Sequence, residues 1–259
     1  MLDRIRRWAH GVNEFSPDSF RHLKFPEIVR FIPSETSLSN LLLLEEALKI
    51  LWSKKATYSI EIWKEEDFEF YLSSNRFEKL GELAYRLSAV YPSPKLEYPK
   101  KAFPEAKGYV ASGILKLEGS FLGLKTLEDF DYDPLVHVIS AIRNPCIIQF
   151  LFKPERTVIE TFSGEYPLFR LRVAVSTFSE KWRNAKDECE RILRSFSVFN
   201  GFARLKPVLS SPLRSSREIF EKIAERRREH FEYEIVTACP ACSKALDAKD
   251  IVELVWEGL

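Results

Sequence analysis

Tyr58-Ser59-Ile60-Glu61-Ile62-Trp63-Lys64-Glu65-Glu66-Asp67-Phe68-Glu69-Phe70-Tyr71-Leu72 is the stretch on which the fold turns. Tyr58, Ile60 and Ile62 alternate with polar neighbours; after the acidic turn at residues 65–67, Phe68, Phe70 and Leu72 alternate again. Period two on either side of a short polar turn predicts a β-hairpin with one apolar face.

Working outward, Ile28-Val29-Arg30-Phe31-Ile32 reads as a strand ended by Pro33. Thr36 or Ser37 caps a helix reaching about Lys54, with Leu41, Leu44, Leu48 and Leu51 at helical spacing. After the hairpin, Asn75 and Glu78 resemble a capping box. Phe77, Leu80, Ala84, Leu87 and Tyr91 mark a helix stopped by Pro92, and residues 95–98 are short and extended. The order is β-α-β-β-α-β.

The same order recurs. Residues 109–117 form a strand, and Asp133-Pro134 opens a helix carrying Leu135, Val138, Ile139 and Ile142 that Asn144-Pro145 stops. Residues 146–152 are almost wholly apolar and read as a central strand. Phe169, Leu171, Val173 and Val175 alternate with Arg170 and Arg172. Ser179 caps a helix with Trp182, Ala185, Cys189, Ile192, Phe196 and Phe199 on one face; Asn200-Gly201 ends it, and residues 202–209 return as a strand.

The expected fold class is therefore α+β: two tandem β-α-β-β-α-β, ferredoxin-like units with antiparallel sheets, plus a C-terminal helical extension. The boundaries fall at 1–26 for an N-terminal helical arm, 27–104 and 105–210 for the two units, and 211–259 for a charged helix and a CxxC-containing extension. The Pro-rich residues 98–104 are the joint. In the arm, Leu2, Ile5 and Trp8 share a face beside Arg4, Arg6 and Arg7, which suits either docking on the body or contact with a membrane surface or partner.

Composition narrows the function classes. The 259 residues are 45% hydrophobic and 30% charged, the profile of a folded chain and not of a disordered one. Lys+Arg at 39 against Asp+Glu at 38 excludes a globally basic nucleic-acid coat. No apolar run approaches the roughly 18 residues of a spanning helix, and the first residues lack the apolar core of a secretory signal. Four cysteines are too few for a disulfide scaffold, and Cys146 and Cys189 sit in apolar patterns, so the chain is expected in the cytoplasm. A single Gln, at position 149, and a single Met, with abundant Lys, Arg and Glu, are the composition of a thermophile.

No catalytic constellation is expected. Gly119 and Gly123 are separated by three residues and Leu124 precedes Lys125, whereas a phosphate loop needs four residues and a Lys directly after the second glycine. Asp129, Asp131 and Asp133 are spaced like calcium ligands, but that loop's glycine and terminal glutamate are missing. Cys239-Pro240-Ala241-Cys242 is the sharpest local motif. Two thiolates at this spacing can grip zinc, with His230 as a third ligand or with ligands shared between subunits; they can also be redox-active or simply structural. Between residues 181 and 231, Lys+Arg number 13 against 7 Asp+Glu, and Arg226, Arg227 and Arg228 are consecutive. That helix is either a solvated face or a contact to nucleic acid or an acidic partner. Residues 251–256 form an apolar cluster ending at Trp256, a candidate interface anchor, self-association included.

Several stretches in order resemble a known family. They are Glu69-Phe70-Tyr71-Leu72-Ser73-Ser74-Asn75, Ala89-Val90-Tyr91-Pro92, Leu124-Lys125-Thr126-Leu127-Glu128-Asp129-Phe130-Asp131-Tyr132-Asp133-Pro134-Leu135, and Ile147-Ile148-Gln149-Phe150-Leu151-Phe152-Lys153-Pro154. Residues 27–209 resemble the N-terminal, non-motor domain of archaeal conjugation and type IV secretion-like DNA-transfer ATPases of the HerA–FtsK superfamily. The resemblance implies an assembly or anchoring module that precedes a RecA-like motor. It implies as partners a DNA-translocating ATPase subunit or membrane-associated transfer machinery, and a place at the inner face of the membrane. The chain reaches Leu259 where that motor would begin, and it carries no phosphate loop. The expectation is a non-catalytic module standing apart from its motor. The alternative is an independent nucleic-acid-binding protein that uses its sheets and its basic C-terminal helix.

Overall fold

The computed structural model describes residues 2–16, 28–32, 56–90, 95–99, 101, 103–104, 106–119, 124–125, 129–132, 134–161, 164–226 and 235–237. In chain order the elements are α1 (Leu2–Ala9), β1 (Asn13–Phe15), β2 (Ile28–Ile32), β3 (Tyr58–Lys64), β4 (Phe68–Ser74), α2 (Phe77–Val90), β5 (Lys95–Glu97) and β6 (Gly108–Glu118). Then come α3 (Leu135–Ser140), β7 (Cys146–Thr161), β8 (Gly164–Ser179), α4 (Trp182–Ser195) with a 3-10 turn (Phe196–Phe199), β9 (Arg204–Leu209), α5 (Ser216–Ala224) and β10 (Ile235–Thr237). The hairpin read from residues 58–72 is β3–β4. The helix expected over residues 36–54 lies outside the described residues.

The molecule is α+β, with its strands in one mainly antiparallel sheet. Along the sheet the order is β5-β2-β4-β3-β7-β8-β6-β9, with β1 on β6 beside β9 and β10 on β8. Number the strands within each expected unit and this order is 4-1-3-2 followed by 2-3-1-4, a palindrome. The two halves meet edge to edge through β3 and β7, from Tyr58↔Phe152 to Lys64↔Cys146, with Glu61↔Gln149 as the middle pair. Two separate sheets were expected. The continuous sheet instead removes two open edges, each of which would have left a row of unpaired backbone groups.

Pleat parity distributes the core. Tyr58, Ile60 and Ile62 point to one face. There Tyr58, Leu72 and Phe152 pack against Leu80, Leu83 and Ala84 of α2. Ile62, Ile148, Val173 and Val175 pack against Ala185, Cys189, Ile192 and Leu193 of α4. The opposite face carries Trp63, Tyr71, Ile147 and Ala174, and it is covered by Ile219, Phe220, Ile223 and Ala224 of α5. α5 is thus a third layer, each of its large apolar side chains contributing on the order of 1.5–3 kcal/mol when fully buried.

Several boundaries differ from the sequence reading. Residues 146–152 and 169–175 are the inner parts of two 16-residue strands, β7 and β8, which run on as a long hairpin with a register shift between Pro154 and Val158. Ser179 does not cap α4; Lys181 is the N-cap residue, and the Lys181 backbone N–H donates to Ser179 Oγ at 3.4 Å. After Ser195 the last turn tightens to a 3-10 helix, so Phe196 and Phe199 are outside α4 proper.

Candidate functional site

Polar side chains converge where the C-terminal end of α5 reaches the join between the halves. Ser59, Glu61 and Trp63 share one face of β3, Gln149 lies opposite Glu61 on β7, and Arg172 is on the neighbouring strand β8. α5 is capped at its start by Ser215, whose hydroxyl accepts from the Glu218 N–H at 3.2 Å, and Glu225 is its C-cap residue. Arg226 follows with φ +50°, the left-handed conformation that often terminates helices and costs a side-chain-bearing residue roughly 1–2 kcal/mol. That turn sends the Arg226 side chain back under the helix.

There it meets Glu61. Arg226 Nε donates to Glu61 Oε1 at 2.8 Å and its Nη2 donates to Oε2 at 2.9 Å, a two-pronged pair with both residues at most 3% exposed. Ser59 Oγ and Gln149 Nε2 also donate to Oε1, at 2.8 and 2.9 Å, and Trp63 Nε1 donates to Oε2 at 2.9 Å. The Trp63 ring stacks on Tyr71, centroids 3.8 Å apart, which fixes the direction of that indole N–H.

The same cluster satisfies the end of α5. Gln149 Nε2 donates to the Ile223 carbonyl at 2.8 Å, Arg226 Nη1 to the Ala224 carbonyl at 2.9 Å, and Arg172 Nη2 to the Lys222 carbonyl at 3.5 Å. Arg172 Nη2 also donates to Gln149 Oε1. The last carbonyls of a helix lack the regular i+4 donors; here the Ile223 carbonyl also takes the Arg226 backbone N–H at 3.1 Å, and two guanidinium groups stand at the negative end of the helix dipole. Burial by itself would push the Glu61 carboxyl up. The charge of Arg226 and the hydrogen bonds from Arg226, Gln149 and Trp63 outweigh it and hold the group below the usual carboxylate range. Chemically the arrangement is a lock: its acceptor is saturated by donors from four other residues.

A second buried carboxylate plays a similar part. Glu188 of α4 accepts from the Arg143 and Asn144 backbone N–H groups at 2.5 and 2.8 Å and from the Asn144 side chain, and pairs with Arg191 at 3.1 Å. It ties the turn after α3 to the face of α4.

The expected site residues fare unevenly. Arg226 is a correction: it is 3% exposed and engaged with Glu61, not on a solvated, phosphate-facing surface. Arg227, Arg228, His230, Cys239, Cys242 and Trp256 lie outside the described residues. Among the described residues no group of three or more His, Cys, Asp or Glu is placed to hold a metal. The Lys125 N–H donates to the Phe199 carbonyl at 2.8 Å and its ammonium lies 5.6 Å from the Phe130 ring centroid, so Lys125 is tied to the turn after α4. Asp129 and Asp131 are exposed.

Glu61, Gln149 and Arg172 were not singled out from sequence as a site. Their signal was present: one polar residue at the centre of an otherwise apolar strand needs a buried partner. Gln149 within Cys146-Ile147-Ile148-Gln149-Phe150-Leu151-Phe152 is that case. Glu61 and Arg172 alternate with apolar residues, and such a pattern also describes a solvent-facing strand.

No protein-family model matches this chain, and no curated protein matches it.

Proposed function

We propose that this protein is a non-catalytic assembly or regulatory module of a DNA-transfer machine, peripheral at the inner face of a membrane, built from two ferredoxin-like units. The family reading rests on the resemblance over residues 27–209. The observation that carries the module reading is the use made of the buried charges at the centre of the sheet. Glu61, Gln149, Arg172 and Arg226 are spent on fixing the end of α5 at the join, so this helix is anchored to both halves of the platform. A platform held this way can pass force or position to a partner without loosening.

The nucleic-acid reading is less well supported. The central sheet surface it needs lies under α5. The outward charges of α5 are internally matched, Arg217 with Glu221 at 2.9 Å and Lys222 with Glu218 at 3.3 Å. Such a helix offers little net positive field to a phosphate backbone.

The test is affinity purification of the tagged full chain from native extract, with and without nuclease. Nuclease-resistant recovery of a RecA-like ATPase is expected. Tight, salt-dependent binding of the isolated chain to DNA with no ATPase recovered would replace this reading with the nucleic-acid one.

A further inference from the structure

α1 is held to the body by polar side chains, and its apolar side chains Ile5 and Trp8 face outward. At ~100° per residue, Asp3, Arg7 and His10 fall on one side of the helix, and all three make the contacts that hold it. Asp3 Oδ2 accepts from Trp182 Nε1 at 3.0 Å, and Oδ1 lies 3.7 Å from the Arg183 guanidinium. Arg7 pairs with Glu14 at 2.6 Å and sits 4.9 Å over the Tyr109 ring, and His10 stacks on Trp182 with centroids 5.8 Å apart. Ile5 and Trp8 lie on the far side and are 55% and 67% exposed. This inverts the usual arrangement, in which the apolar stripe of a surface helix faces the core.

Charge and neighbours indicate what the outward face meets. Arg4 and Arg6 are exposed and flank Ile5 and Trp8, one on each side; the one acid of α1, Asp3, lies on the opposite side of the helix, where it is exposed but held by Trp182 and Arg183. The loop fastened to the C-terminal end of α1 carries a further exposed apolar side chain. Gly11, at φ +62°, lets the backbone pass so close to Ser211 that a Cβ there would stand 2.5 Å from the Ser211 carbonyl oxygen. Ser210 Oγ donates to the His10 carbonyl at 3.1 Å and the Ser216 N–H to the Gly11 carbonyl at 2.7 Å. The loop so fastened presents Leu213, 97% exposed. An apolar centre with an interfacial Trp and arginines on both rims is the pattern of a helix lying in an anionic lipid surface.

We propose that α1 and the loop at Leu213 form a membrane-docking surface, Ile5, Trp8 and Leu213 entering the headgroup region of an anionic bilayer while Arg4 and Arg6 meet lipid phosphates. The proposal deepens the peripheral placement given above and rests on it; it names the surface. One small face binds weakly, and several copies in one assembly multiply its affinity.

The experiment is flotation of the full chain with vesicles of phosphatidylglycerol and phosphatidylcholine, against phosphatidylcholine alone, at low and high salt. Expected is salt-sensitive binding to the anionic vesicles only, lowered about tenfold or more by Trp8→Ser and by Ile5→Ser, with the unfolding midpoint unchanged because both side chains are exposed. Brominated lipid should quench part of the tryptophan fluorescence, and Trp8→Phe should keep the binding and lose that part. Anionic-vesicle binding that both serine variants retain would overturn this surface and leave the peripheral placement standing. No binding by the unmodified chain would overturn both, while the ATPase-recovery test still decides the module reading. Loss of self-association in Trp8→Ser, with no vesicle binding at any salt, would assign the face to a second copy and overturn the proposal.

Discussion

The Glu61 carboxylate and the Arg226 guanidinium, 165 residues apart in the chain, face each other through two hydrogen bonds of 2.8 and 2.9 Å at the seam between the two halves of the sheet. Removing one partner leaves the other charged and without solvent. Glu61→Gln is therefore expected to destabilise the protein by about 3–5 kcal/mol, a fall of roughly 10 °C in unfolding midpoint by calorimetry. Replacing both at once, Glu61→Leu with Arg226→Met, should recover most of that loss. A near-neutral Glu61→Gln would mean that the pair does not close the seam.

The backbone at Arg226 separates from its side chain by comparing two truncations. Both Arg226→Ala and Arg226→Gly lose the pair, but only glycine relieves φ +50°. Arg226→Gly should be the more stable by about 1 kcal/mol in urea titration. Equal stabilities would indicate that the turn relaxes when the pair is gone.

Acid should release the lock. Because Glu61 is held below its ordinary value of 4.5, the unfolded chain binds a proton more readily than the folded one. The stabilisation is full above pH 4.5 and is lost as pH falls through the lower folded value. Midpoints measured from pH 6 to pH 3 should fall less steeply in Glu61→Leu/Arg226→Met than in the unmodified chain. Parallel profiles would remove Glu61 as a source of the acid sensitivity.

Cys146 and Cys189 are buried, and burial pushes both thiols up, so neither forms the thiolate that reacts. Alkylation of the native protein at pH 8, mapped by mass spectrometry, should leave both unmodified until denaturant is added. Rapid native labelling of either one would show that α4 opens from the sheet.

Much of the architecture was legible locally. Alternation in residues 58–72 dictates the β3–β4 hairpin, because side chains on a strand alternate between faces whatever surrounds them. Leu80 and Ala84 mark α2, and Ala185, Cys189 and Ile192 mark α4, by helical spacing alone. Helix ends were less legible: Ser179, a strong capping residue by type, is instead the last residue of β8. Local propensity gave way there to two more residues of pairing, Phe178 and Ser179 with Val110 and Tyr109 of β6.

The seam and the lock were decided by the tertiary fold. Edge pairing of β3 with β7 depends on which strands are left unpaired once each half has formed, a property of the assembled sheet that no residue window contains. Arg226 shows the same limit in one side chain. Beside Arg227 and Arg228 it reads as surface charge, and a left-handed turn after α5 aims it into the sheet. A guanidinium goes where its desolvation is offset, and the carboxylate that offsets it, Glu61, is contributed by a strand the chain completed 162 residues earlier, at Lys64.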